Sequence, residues 1–85
     1  MRIIFSENGW EDYISWQYVG KKIVSKINEL IKSISRTPFE GIGKPEPLKF
    51  ELTGTWSRRI DNEHRLIYQI IRRDILILNC RYLYE

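Results

Sequence analysis

Cysteine is nearly missing from this chain of 85 residues: Cys80 stands alone, which excludes an internal disulfide framework and any cysteine-rich zinc site. The single histidine, His64, does not restore a metal cluster, and no metal or cofactor is expected. Glycine (5) and proline (3) are scarce, so the composition is not that of a disordered or collagen-like segment. Long apolar runs are absent as well. The run at residues 3–5 is cut off by Ser6 and Glu7, far short of a signal-peptide core. Residues 75–78 fall well below the ~20 apolar positions needed to cross a bilayer. The chain therefore reads as one soluble domain spanning residues 1–85, suited to a reducing cytoplasm and with no membrane partner.

What the sequence does contain is a globular composition, 42% hydrophobic and 13% aromatic, with 14 Lys and Arg against 11 Asp and Glu for a net charge of +3. A domain of this size buries only about 60% of the surface its unfolded chain exposes, so its core is thin and self-association or a stabilising partner is expected.

Residues 2–5 read as a short strand, stopped by Ser6 as a helix N-cap. Trp10, Tyr13 and Ile14 then recur at helical spacing up to Gly20. From Lys21 onward Ile23, Val24, Ile27, Leu30, Ile31 and Ile34 form the apolar stripe of an amphipathic helix, which Thr37 and Pro38 end. The two helices form a hairpin that needs a sheet to cover it. Residues 39–47, with Gly41, Gly43, Pro45 and Pro47, read as a loop. Residues 48–52, 56–60, 65–71 and 75–82 read as four strands in an antiparallel meander. The fold class is thus α+β.

Strand alternation places Arg65, Ile67, Gln69 and Ile71 on one face and Leu66, Tyr68 and Ile70 on the other. In the last run Leu76, Leu78, Cys80 and Tyr82 alternate with Ile75, Ile77, Asn79 and Arg81. One face is expected to receive the helices, and the face that turns polar towards Asn79 and Arg81 is where function is expected.

Glu46 is stiffened between Pro45 and Pro47, a device that holds a base in a fixed direction; on local sequence alone a solvated loop glutamate is the simpler reading. Lys44, Lys49, Arg58, Arg59, Arg65 and Arg81 form a basic constellation suited to phosphate, because the planar fork of arginine grips phosphate oxygens in pairs. Arg58 and Arg59, as neighbours on a strand, point to opposite faces, so at most one of them joins Arg65. Arg72 and Arg73, in a turn, read as aggregation-blocking charge. Tyr84 suits base stacking or proton donation. His64 reads as a turn residue or hydrogen-bonded anchor. Trp10, Trp16 and Trp56 read as core or interface anchors, with Trp16, off the stripe, the one turned partly towards a second subunit.

The run GIGKPEPLKFELTGTWSRRIDNEHRLIYQI, with SENGWEDY, KKIVSKINELIK and RTPFEG upstream and CRYLY after it, closely resembles the Txe/YoeB family over essentially the whole chain. The resemblance implies a RelE-like fold and a toxin of a type II toxin-antitoxin module. It also implies cleavage of messenger RNA in the A site of the 70S ribosome, a YefM-like antitoxin that covers the site, and a homodimer. Carried over motif by motif, Glu46 is the general base that takes the 2'-hydroxyl proton. Arg65 is the transition-state stabiliser, Tyr84 the terminal tyrosine beside the reaction, and Lys49 and Arg59 basic positions that help hold the RNA backbone, a task for which Lys44 of the basic constellation is also a candidate.

The family pattern has a histidine, the general acid, immediately before the last tyrosine. Here that position is Leu83. Leucine transfers no proton, and loss of general acid catalysis costs ~100-fold to 10,000-fold in rate. Two explanations fit: a detoxified form, natural or engineered, or a working toxin in which Tyr84, Lys49 or solvent protonates the leaving group. The competing functions are a catalytically dead binder of ribosome or antitoxin and a ParE-like gyrase inhibitor, the latter without support from the PEP loop.

Overall fold

Ser6 decides where the first helix begins. Its side-chain oxygen accepts the Gly9 N–H at 3.0 Å, the expected N-cap contact, and its hydroxyl donates to the Leu78 carbonyl at 3.0 Å. The cap thus also ties helix α1 (Glu7–Val19) to the last strand of the sheet. Gly9 permits that approach, because a Cβ at this position would collide with the Ile77 carbonyl oxygen. The computed structural model describes residues 1–81; Tyr82, Leu83, Tyr84 and Glu85 lie outside the described residues.

Strand β1 (Ile3–Phe5) precedes α1, and α2 (Lys21–Arg36) follows it after the single residue Gly20. On α2, Ile27, Leu30, Ile31 and Ile34 are buried, with Ile23 and Val24 packed against the same cluster, as the apolar stripe predicts. Strands β2 (Glu46–Pro47), β3 (Trp56–Arg59), β4 (Arg65–Ile71) and β5 (Asp74–Asn79) complete a five-stranded sheet in the order β1-β5-β4-β3-β2. The β1–β5 pairing is parallel and the others are antiparallel. At that parallel edge Arg2 donates through Nε and Nη2 to the Asp74 carboxylate, at 3.0 and 2.7 Å. The helices cover one face, where Leu66, Tyr68, Ile75 and Ile77 meet the α2 stripe. This is the α+β arrangement expected from sequence. No described helix is long and apolar enough to cross a membrane.

Three expectations are corrected. Residues 48–52 do not form a strand: only Glu46–Pro47 pair with β3, and Phe50–Leu52 make a 3-10 turn. Phe50 has φ +58, which breaks any extended run, and the turn closes when the Leu52 N–H reaches the Lys49 carbonyl at 3.1 Å. The faces of β5 are also reversed over residues 75–77, whereas Cys80 lies on the core side as expected. Ile75 and Ile77 join the core, and a register shift, in which Ile67 pairs with Asn79 but Tyr68 with Ile77, then brings Cys80 into the core too. A bulge adds one residue to a strand and so flips the alternation beyond it. Finally, Trp16 is buried rather than turned towards a partner, and it donates from Nε1 to the Cys80 carbonyl at 2.9 Å. Trp10, on the predicted stripe, is instead half exposed and packs against Phe5 and Tyr13.

Candidate active site

Residues directly opposite one another in neighbouring strands share a face of the sheet. Glu46 lies opposite Ser57, Ser57 opposite Ile67, and Arg59 opposite Arg65. Because Leu66 and Tyr68 face the helices, Glu46, Ser57, Arg59, Arg65 and Ile67 all stand on the other side. Ser57 and Ile67 are buried and make a floor, while Glu46 and Arg59 are exposed and Arg65 half-buried above it. Glu46 and Arg65 are separated by two strands and two residues, about 12 Å between Cα atoms from standard strand spacing. Two long side chains can converge across that span on a group the size of a phosphodiester.

The turn before β4 sets Arg65. The Asp61 carboxylate accepts the backbone N–H groups of Glu63 at 2.8 Å and His64 at 2.6 Å, an Asx turn that fixes the backbone. Arg65 Nη1 donates to the carbonyls of Asp61 at 2.6 Å and His64 at 3.0 Å. Among the described residues its Nε and Nη2 take no acceptor, so the remaining side of the fork is available to a ligand anion. Burial pushes the Asp61 carboxyl up, but the two backbone N–H groups, helped by His64 and Arg65, hold it below the ordinary carboxylate value. The importance of Asp61 was missed from sequence, where residues 61–63 were only a turn; an Asp placed two and three residues before the amides it caps was the available signal.

His64 is an anchor, as expected. It is buried, and its ring meets Trp16 edge to face at a centroid distance of 4.8 Å. Two arginines of the basic constellation are elsewhere. Arg58 points into the core and is wholly buried. Arg81 lays its guanidinium over the Trp16 ring, 4.4 Å from the centroid, and donates to Ser15 Oγ at 2.6 Å, so it clamps α1. Arg58 faces inward by strand parity, opposite Leu66, whereas Arg81 lies beyond the end of β5 and is drawn to α1 by Trp16 and Ser15; charge counting registers neither. Lys44 and Lys49 are exposed on either side of β2, Lys44 with φ +49. Leu83 and Tyr84 fall outside the described residues.

Cys80 is no nucleophile. Burial, then the nearby Asp12 carboxylate, pushes its thiol up to about 12, with Arg81 opposing only in part. Among the described residues no group of His, Cys, Asp and Glu is arranged to hold a metal ion. A cavity of about 530 Å³ opens between β1 and the helices, beside Ile3, Phe5, Tyr13 and Ile31, and includes none of Glu46, Arg59 or Arg65. Charge arrangement, not depth, marks the site.

Two helices on one face of a five-stranded mixed sheet is the architecture of the YoeB/RelE-like toxins. The family described as "YoeB-like toxin of bacterial type II toxin-antitoxin system" matches residues 5–84. Toxin YoeB of Escherichia coli (strain K12) is 60% identical over 84 residues, 99% of this chain and 100% of that protein. The toxin in the YoeB-YefM complex from Staphylococcus aureus is 53% identical and superposes with a TM-score of 0.92, covering 99% of this chain and 98% of that one. The YoeB dimer from the same organism superposes at 0.93, with the same identity and coverage. The chain belongs to the YoeB family of bacterial type II toxins.

Proposed function

We propose that this toxin is an endoribonuclease that cleaves messenger RNA in the ribosomal A site, acts as a homodimer and is neutralised by a YefM-type antitoxin. The observation that carries the reading is the gathering of Glu46, Arg59 and Arg65 on the side of the sheet away from the helices. Antitoxin and dimer rest on the S. aureus relatives, one in complex with YefM and one a dimer.

In this scheme the Glu46 carboxylate removes the proton of a ribose 2'-hydroxyl, and the freed oxygen attacks the adjacent phosphorus in line with the departing 5'-oxygen. One P–O bond forms as the other breaks, leaving a 2',3'-cyclic phosphate and a 5'-hydroxyl. Extra negative charge on the phosphoryl oxygens is met by the unengaged side of the Arg65 fork, with Arg59, Lys44 and Lys49 holding the flanking phosphates. Leu83 donates nothing to the leaving oxygen, so protonation falls to Tyr84, Lys49 or water and the reaction is slow. With a net charge of only +3, affinity for naked RNA is weak and salt-sensitive, and the ribosome supplies the binding.

The test is primer extension on messages translated with the protein, its Leu83→His variant and Glu46→Ala in each. Weak A-site cuts that rise ~100-fold or more with Leu83→His and vanish with Glu46→Ala are expected. Equal cleavage by the protein and Leu83→His would remove the role given to position 83. Leu83 itself favours a second reading, a binder without chemistry; absence of any cut to lose in Glu46→Ala, with ribosome affinity kept, would select it.

A further inference from the structure

Arg58 takes no part in the site face, yet its burial is costly unless something on the inside needs it. Each of its five N–H groups has an acceptor. Nε donates to Tyr68 Oη at 3.2 Å, Nη1 to Ser33 Oγ at 2.7 Å and the Ile42 carbonyl at 3.2 Å, and Nη2 to the carbonyls of Thr37 at 2.7 Å and Glu40 at 2.8 Å. All five acceptors are neutral. The charge is balanced by carbonyl dipoles at the C-terminal end of α2, where the helix macrodipole is negative.

The acceptors are not scattered. Four of them lie between residues 33 and 42, the stretch that leaves α2 and leads to Glu46. The fifth, Tyr68, grips the same stretch by donating to the Pro38 carbonyl at 2.7 Å. On the outer side, the Arg59 N–H donates to the Gly43 carbonyl at 2.7 Å. Gly43 has φ +81, and a Cβ there would press on the side chains of Leu30 and Arg58. Three residues later comes Glu46, on a strand that pairs with β3 through two residues and one further bond, from the Leu48 N–H to the Thr55 carbonyl at 2.8 Å. So short a strand cannot fix its own position.

We propose that Arg58 is the positioning residue for Glu46: its guanidinium sets the course of residues 37–43 and thereby where the general base stands relative to Arg65. The proposal rests on the endoribonuclease reading above. Arg58 itself meets no RNA. The adjacent pair on β3 divides the work, the inner arginine holding the base's loop and the outer one facing the phosphate. A lysine could not replace it, because one ammonium cannot reach five acceptors spread over two elements and a loop.

The test combines single-turnover cleavage on programmed ribosomes with amide hydrogen exchange, on the full chain carrying Leu83→His to raise the rate. Arg58→Lys keeps the charge and loses the fork. Ser33→Ala and Tyr68→Phe, singly and together, remove contacts around an intact guanidinium and serve if Arg58→Lys does not fold. Expected are exchange at least ~10-fold faster across residues 37–48, with α1 and β5 still protected. The saturating cleavage rate should fall ~100-fold while half-saturation moves less than about twofold, as misplacement of a catalytic group requires. Folded variants with unchanged exchange over residues 37–48, or a rate loss appearing wholly as weaker ribosome binding, would overturn the assignment. If the Leu83→His parent cuts nothing, the endoribonuclease reading fails, and the exchange result still decides whether Arg58 anchors the loop.

Discussion

The two sides of β3 place the same side chain in opposite circumstances. Towards the helices Arg58 is enclosed beside Tyr68 and Ser33, its donors spent on backbone and hydroxyl oxygens. One residue on, Arg59 stands exposed beside Arg65. The helix side of the sheet is closed, and every donor of its buried Arg58 is matched within the protein. The other side has a buried floor but leaves charge unspent, and that surplus is what a ligand can use. Orientation, set by strand parity, turns one residue type into a staple in one place and a binding group in the next.

The sharpest way to break this contrast is Leu66→Ala. Leu66 is wholly buried beneath the helices, so its truncation should cost ~2–5 kcal/mol in urea unfolding, whereas Arg59→Ala should change stability by no more than ~0.5 kcal/mol. Similar losses from both would mean that the two faces do not differ as described. Asp61→Ala comes next, at ~1 kcal/mol in thermal or urea melts, because two backbone N–H groups lose their acceptor and the turn beneath Arg65 loosens. Its pH dependence has a definite sign. The Arg2 hydrogen bonds hold the Asp74 carboxyl below its ordinary value, and backbone N–H groups do so for Asp61 against the effect of burial. Folded values below unfolded ones mean stability that is present above ~pH 4 and lost as pH falls through the depressed range. Unfolding followed from pH 5 to 2 should therefore show a shallower acid loss in Asp61→Asn and Asp74→Asn than in the parent. The smallest effect is expected at Phe50, 90% exposed with φ +58: Phe50→Gly relieves the left-handed backbone and should raise stability by up to ~1 kcal/mol. A loss there would mean that the Phe50 ring contributes packing to the hairpin tip.

Legibility in the sequence followed the length of the periodic signal. The stripe of α2 and the alternation of β4 run for many residues, and both elements and their buried faces came out as read. Residues 48–52 alternate too briefly to outweigh a hairpin tip, so a strand was expected where Phe50 turns the chain. On β5 Ile75 and Ile77 took the face opposite to the one expected, and the alternation then broke at a bulge, a property of the pairing and not of either strand, which returned Cys80 to the core. At the site, parity said only that at most one of Arg58 and Arg59 joins Arg65, and the choice of Arg59 came from the family resemblance. Glu46 needed the family resemblance, since nothing in a PEP tripeptide says which strand it will lie beside. The inward turn of Arg58 was invisible for a related reason: its partners are mostly main-chain oxygens, which every residue has.

The parallel pairing of Ile3–Phe5 with residues 75–77 has a consequence in time. The hairpins that carry Glu46, Arg59 and Arg65 are local and can zip as soon as they exist, but β1 must wait for a strand 72 residues further along. Long-range closure of this kind slows folding towards the millisecond-to-second range. A growing chain therefore holds its first strand unpartnered until β5 has been synthesised and released from confinement. The strand made first is therefore the last to join the sheet, and until it does one edge of β5 stays open.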